Sequence, residues 1–384
     1  MKHKINSFCC QSKSIKPRIG LDFHVVDGIY QGSRTHVLEL FSEVIRLSPD
    51  ISFFLFLEKT DSLLAISPSF ALPNVEIVYM PHANPIKRLC WQLPMLQRKY
   101  RLDILHTQYI IPIINNCKGI VTIHDILFES HPQYFSSLFR FRSKILMRLS
   151  ARRSSHVFTV SEYSKNEMIN RYQIAHEGIS VLYNGVDNKR FFVGNDGVEV
   201  ISKRGLTSKR YLLSVGRLEP RKNHVNLLKA FALTRSTGMP LVIVGQPHFG
   251  YDSIYQTITD LNIQEKVIII NNVMDEKLPA FYRHAKVFVY PTWAEGFGMP
   301  LLEAMASGVP VISSNTTSIP EVVGDSGILV DPGDVDAIAT AINDLISDKK
   351  LYSETSHRGI ERAAMFRWDI PAEKVRNVYF SCLQ

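Results

Sequence analysis

The sequence predicts an α/β protein made of two doubly wound, Rossmann-like parallel-sheet domains facing across a cleft. Three observations lead there. Short apolar runs alternate with helical stretches from end to end, the pattern of parallel strands covered by helices. The 384 residues exceed what a single hydrophobic core supports, so two domains of roughly 190 residues follow. A stretch over residues 188–209, with Gly194, Gly197, Gly205 and little apolar periodicity, separates two series of strands.

The first series reads as strands over residues 19–26, 51–57, 75–80, 104–106, 119–124, 156–160 and 179–183. The second covers residues 211–215, 241–245, 267–271, 287–290, 309–313 and 327–330. The domains are drawn as residues 1–195 and 196–384, with a last helix over 372–380 that crosses back to the first domain. In open sheets of this kind ligands bind beyond the carboxyl ends of the strands, so the chemistry is sought there.

Composition narrows the class. With 45% hydrophobic and 21% charged residues the chain is neither disordered nor an integral membrane protein. No apolar run approaches the roughly 20 residues of a membrane-crossing helix. Residues 1–17 are basic and lack an apolar block, so a loosely ordered start and a cytoplasmic protein are expected rather than a secreted one. Cys9, Cys10, Cys90, Cys117 and Cys382 lack metal-ligand spacing and read as reduced thiols. The formal charge of +8 suits an acidic partner, and its placement is informative. Residues 87–101 hold five cations and no acid, and residues 131–155 hold Arg140, Arg142, Lys144, Arg148, Arg152 and Arg153, again with no acid.

The densest chemical signal runs from Glu295 to Gly308, EGFGMPLLEAMASG, between two strands. Pro300 suits the first turn of a helix and Gly308 its C-terminal cap. Gly296 and Gly298 leave backbone amides open at the helix start, where an anion binds. Glu295 falls at the helix mouth, and Glu303 lies inside the helix, within reach of ribose or sugar hydroxyls. A solvated turn with two surface glutamates is the plainer reading, and the glycines, the proline and the preceding strand count against it.

A second cluster, residues 214–223, also follows a strand. Gly216 gives a sharp turn, and Arg217 and Lys222, five residues apart, can embrace a diphosphate as a rigid fork and a compact charge. In the first half, the strand over residues 119–124 runs into His124 and Asp125, placed to meet a sugar at the cleft. The turn over residues 27–36, with Gly28 and Gly32, precedes a helix over 37–47 and can offer amides to an anion.

Together these segments resemble the family 4 retaining glycosyltransferases, which have the GT-B arrangement. The shared elements are E-x7-E from Glu295 to Glu303, G-R-L-x-x-R-K-N from Gly216 to Asn223, residues 160–165 (VSEYSK), residues 183–187 (YNGVD) and His124-Asp125. The resemblance spans residues 20–379. It implies that Arg217 and Lys222 neutralise the donor diphosphate, Glu303 binds the ribose, and Glu295 holds hydroxyls of the transferred sugar. It places His124 near the reacting carbon with Asp125 beside it, and completes the pocket with the amides of Gly296, Phe297, Gly298, Met299 and Leu301 around Pro300. The family's first glycine-rich turn has closely spaced glycines, whereas Ser33 follows Gly32 here.

The resemblance further implies retained anomeric configuration and no essential metal or other cofactor. Residues 122–128 (TIHDILF), with His131-Pro132 after them, look like bacterial mannosyltransferases of surface polysaccharides such as O-antigen, and imply GDP-mannose as donor; UDP-linked hexoses use related scaffolds. The expected partners are the nucleotide sugar and a glycan or lipid-linked acceptor, with no nucleic acid. The basic stretch over residues 135–153 either lies on an anionic bilayer, as a peripheral contact at the inner face of the cell membrane, or turns its apolar side to the core. A nicotinamide dehydrogenase would need G-x-G-x-x-G after the first strand, which is missing. A sugar-nucleotide epimerase and a non-catalytic sugar-binding protein remain as other classes.

Overall fold

The computed structural model describes residues 16–27, 32–235 and 238–384. Cys9, Cys10 and the part of the first turn from Gly28 to Gln31 lie outside them. Two all-parallel sheets form. The first runs β1 (Arg18–Asp22), β2 (Ser52–Leu57), β3 (Val75–Tyr79), β4 (Ile104–Gln108), β5 (Lys118–Thr122), β6 (His156–Thr159) and β7 (Ile179–Val181), in the spatial order β3-β2-β1-β4-β5-β6-β7. The second has β8 (Leu212–Val215), β9 (Leu241–Val244), β10 (Val267–Ile270), β11 (Val287–Tyr290), β12 (Val311–Ser314) and β13 (Ile328–Val330), in the order β10-β9-β8-β11-β12-β13. Both orders reverse direction at the first strand of the series, and that switch point opens a crevice at the strand ends.

Central strands are apolar on both faces because helices cover both. Leu241 to Val244 in β9 and Val287 to Tyr290 in β11 are all buried. The first strand stops earlier than its apolar run suggests. After Asp22 the chain tightens into a 3₁₀ turn, His24–Asp27, with the Val26 amide donating to the Phe23 carbonyl at 2.8 Å.

Residues 188–209 are not a bare linker. Phe191, Ile201 and Leu206 are buried in the core of the second sheet, and the Arg283 guanidinium donates to the carbonyls of Arg190, Phe192 and Asp196. The chain changes domain just before them. There Gly185 presses on the returning strand of chain, and a Cβ at that position would lie 2.7 Å from the Trp368 nitrogen. The Val186 amide donates to the Phe366 carbonyl at 3.0 Å. The last helix, Asp369–Leu383, then lies on the first domain, burying Ala372, Val375 and Tyr379 in its core.

Candidate active site

A nest of backbone amides is built by the loop after β11. Gly298 takes a φ of 112°, open to glycine, and starts the helix Met299–Ala306, with Pro300 in its first turn. Among the described residues, the amides of Gly296, Phe297, Gly298 and Met299 donate to no acceptor. The Leu301 amide is already given to the Gly298 carbonyl at 3.0 Å, so the nest consists of four N–H groups and not the longer run expected. The Phe297 ring is turned away into an aromatic cluster with Tyr183 and Phe366. Hydroxyls of the neighbouring loop brace the nest. Ser318 Oγ donates to the carbonyls of Glu295 and Phe297, and Thr317 Oγ accepts the Glu295 amide.

Beside this nest sits a buried ionic cluster. Glu295 Oε1 accepts from Lys222 Nζ at 2.7 Å, Tyr290 OH at 2.9 Å and Thr292 Oγ at 3.0 Å, while Oε2 lies 3.1 Å from an Arg221 Nη. Burial raises the carboxyl pKa, but the charges of Arg221 and Lys222 outweigh it and hold the group down at about 2. Burial also lowers the Lys222 ammonium, against the pull of Glu295. Lys222 and Glu295 are therefore brought together, yet Glu295 Oε1 is fully engaged by three protein donors in this state and Oε2 is shared with Arg221. Arg217 stands half-buried at the same strand end, with no side-chain hydrogen bond or ion pair among the described residues. Arg221, inside the quoted cluster but given no role, pairs with Glu295 alongside Lys222, and with Glu219 at 2.6 Å. The sharp turn falls at Asn223, whose φ is 59° and whose amide side chain donates to the Pro291 and Pro332 carbonyls; Gly216 stays on the ladder, donating to Val244.

The first domain supplies the facing wall. His124 is 7% exposed, and burial together with the nearby His36 keeps its ring neutral. Its Nε2 lies 3.1 Å from Gln108 Oε1, and its ring meets His36 edge-on at 4.7 Å and Tyr109 at 5.3 Å. Tyr109 has a φ of 64°, a costly conformation for an aromatic residue and of the kind that gathers at functional sites. Gln108 and Tyr109 carried no motif signal, and His36, at the end of the quoted turn, was given no role, because their approach to His124 depends on a neighbouring strand and on the helix Gly32–Leu47. Asp125 Oδ1 accepts the Leu127 amide at 3.1 Å, and burial raises its pKa. The domains touch here: a Cβ on Gly296 would lie 2.6 Å from Asp125 Oδ2, and one on Gly32 would lie 3.8 Å from Met299 Sδ. Gly32 opens the helix Gly32–Leu47, so two helix starts meet across the crevice.

Glu303 lies in a cavity with Thr35, Glu39, Asp187, Arg190 and Met299. Burial raises its carboxyl to about 7, against Tyr282 and Arg190, which pull it down. Among the described residues no group of three or more His, Cys, Asp or Glu could hold a metal ion.

Comparison with known proteins agrees with this geometry. The model described as "Glycosyltransferase Family 4" matches residues 30–190, and "Glycosyl transferases group 1" matches residues 199–363. O-antigen chain mannosyltransferase B of Escherichia coli is 34% identical over 269 residues, 68% of this chain and 70% of that protein. O-antigen chain mannosyltransferase RfbU of Salmonella typhimurium is 31% identical over 239 residues, 62% of this chain and 63% of that one. The solved structure of HepE from Anabaena in complex with UDP-glucose shares the fold, with a TM-score of 0.76 at 19% identity over 95% of this chain and 99% of that one.

Proposed function

Because this chain belongs to the family 4 glycosyltransferases, we propose that it moves mannose from GDP-mannose to a glycan or lipid-linked acceptor in surface-polysaccharide synthesis, with retention at the anomeric carbon and no metal. The mannose assignment is supported by the similarity to two O-antigen mannosyltransferases. The observation that carries the reading is the juxtaposition at the ends of β8 and β11. Four unengaged amides, Lys222 and Arg217 lie at these strand ends, where a diphosphate leaving group would sit. Such preorganised donors stabilise charge as it develops on the departing group. Glu295, held ionised, keeps Lys222 and Arg221 in place. Glu303 would take the ribose hydroxyls, and neutral His124 would meet the sugar as a hydrogen-bonding group and not as a charge, with Asp125 beside it.

Thermal melting checks the donor. At a hundredfold excess over its Kd, a bound donor adds about 2.7 kcal/mol of stability. GDP-mannose is expected to raise the melting temperature well above the effect of UDP-glucose at equal concentration. The reverse order would overturn the GDP-mannose assignment while leaving the transferase class intact.

The acceptor side is proposed to rest on an anionic bilayer through the helix Ser137–Arg153. That helix packs inward through Ser143, Met147, Ser150 and Ala151. Its larger apolar residues point out: Leu138 is 79% and Phe141 69% exposed, with Ile145 and Leu149 along the same stripe. The helix thus has a core-facing side, built from Met147 and Ala151, and a second apolar stripe that faces outward. Arg142, Lys144 and Arg148 flank the stripe, the distribution that anionic headgroups attract. No helix among the described residues is long and apolar enough to cross a membrane. Phe141→Glu is expected to abolish flotation with anionic liposomes without changing the melting temperature. Flotation equal to wild type, or none by wild type itself, would sink this contact.

A further inference from the structure

A site shared by two domains works only if something sets their relative placement. Glu321, in the helix Ile319–Val323 of the second domain, reaches across to the first. Its Oε2 accepts from the Glu162 amide at 2.8 Å and the Tyr183 hydroxyl at 3.1 Å, and its Oε1 accepts from the Tyr163 amide at 3.0 Å. Glu162 and Tyr163 open the helix Glu162–Tyr172. The first four amides of any helix lack partners within it. Here the next, that of Ser164, goes to Ser161 Oγ at 3.1 Å, and Lys165 makes the first regular bond of the helix, to the Ser161 carbonyl at 3.0 Å. The helix start is thus capped at one amide by its own Ser161 and at two by a carboxylate from the other domain, and a negative charge suits that end of the dipole.

Both ends of this contact connect to the chemistry. Arg362 anchors the backbone around Glu321, donating to the Glu321 carbonyl at 2.6 Å and the Val322 carbonyl at 3.0 Å. The same segment, through Thr317 and Ser318, braces the loop of Glu295 and Gly296. On the other side, the helix Glu162–Tyr172 follows β6, whose Thr159 hydroxyl donates to the His124 carbonyl at 3.2 Å.

We propose that Glu321 is a positioning residue for the transfer reaction. It docks the helix start of the first domain onto the donor loop of the second and so sets the distance between His124–Asp125 and Gly296–Gly298. This rests on the two-domain glycosyltransferase assignment and not on which sugar is moved.

The experiment compares Glu321→Ala, Glu321→Gln and Ser161→Ala. Ser161→Ala removes the hydroxyl that caps the Ser164 amide, so it weakens the helix start without touching the interdomain bonds. Solution X-ray scattering of the free protein, melting temperature, GDP affinity and turnover well below melting are measured for each. For Glu321→Ala, turnover falls about 10- to 100-fold through misplacement of the facing groups. Its radius of gyration rises, and its GDP affinity is unchanged because the donor half is intact. Glu321→Gln, which keeps one acceptor oxygen, recovers part of the loss. Ser161→Ala lowers the melting temperature and leaves turnover and scattering as in wild type. Wild-type turnover and scattering in Glu321→Ala, or equal losses in Ser161→Ala, overturn the proposal. If the wild-type chain turned over no GDP-mannose, the donor assignment alone would fail, and scattering would still decide the role of Glu321.

Discussion

Arg217→Ala and Lys222→Ala are each expected to lower turnover by about 100- to 1,000-fold, the usual cost of removing a preorganised charge-stabilising donor. Their effects on stability should differ. Among the described residues Arg217 has no ionic or hydrogen-bonding partner, so its removal leaves no buried charge behind and the melting temperature should hold. Lys222 donates to both Tyr290 and Glu295, at 2.6 and 2.7 Å. Breaking a buried pair from one side typically costs about 3–5 kcal/mol, and Arg221, Tyr290 and Thr292 remain to hold the carboxylate, so the low end of that range applies. Initial rates and melting curves on both variants check this. Near-normal turnover in both would remove the diphosphate assignment. A lowered melting temperature in Arg217→Ala would mean that its guanidinium is committed to the fold.

Gly296→Ala is expected to cost about 100-fold in turnover with little change in melting temperature, since a misplacement of the order of 1 Å suffices for such a loss. The cause is close approach and not backbone strain, because Gly296 is not among the residues with positive φ. The added methyl would lie 2.6 Å from Asp125 Oδ2 and 3.0 Å from Asp125 Cβ, so either Asp125 shifts or the domains stand further apart. Gly298→Ala offers the contrast. With a φ of 112° and Ile319 Cδ1 3.0 Å from the new methyl, it should lose stability as well as activity. Unchanged kinetics in Gly296→Ala would show that the cleft works in a more open form than this one.

Strand positions and motif placement were legible because they rest on local chemistry. Every expected strand segment exists, since a run such as Val287 to Tyr290 is too apolar to face water and too short for a helix. The segment from Glu295 to Gly308 could be laid out as loop, helix and cap because Gly298, Pro300 and Gly308 each answer to a backbone requirement at their own position. The end of β1 was not legible: the apolar run continues past Asp22, while the hydrogen bonds turn inward with the 3₁₀ turn. The stretch over residues 188–209 misled for the opposite reason, its few apolar residues being irregularly spaced and nonetheless buried.

Local patterning thus settled the α/β class, the existence of two sheets, and the strand ends at which the cations, glycines and His124 would gather. The tertiary structure alone decided which of them meet. That Arg221 rather than Arg217 grips Glu295, that Gln108 stands against the His124 ring, and that Glu321 caps a helix 159 residues earlier in the chain all depend on the packing of distant segments. Periodicity and turn preference reflect how a few neighbouring residues divide between water and core. A side chain in a loop has several rotamers of similar energy, and the choice among them falls to whatever charge or hydrogen-bond partner the rest of the fold brings within about 3 Å.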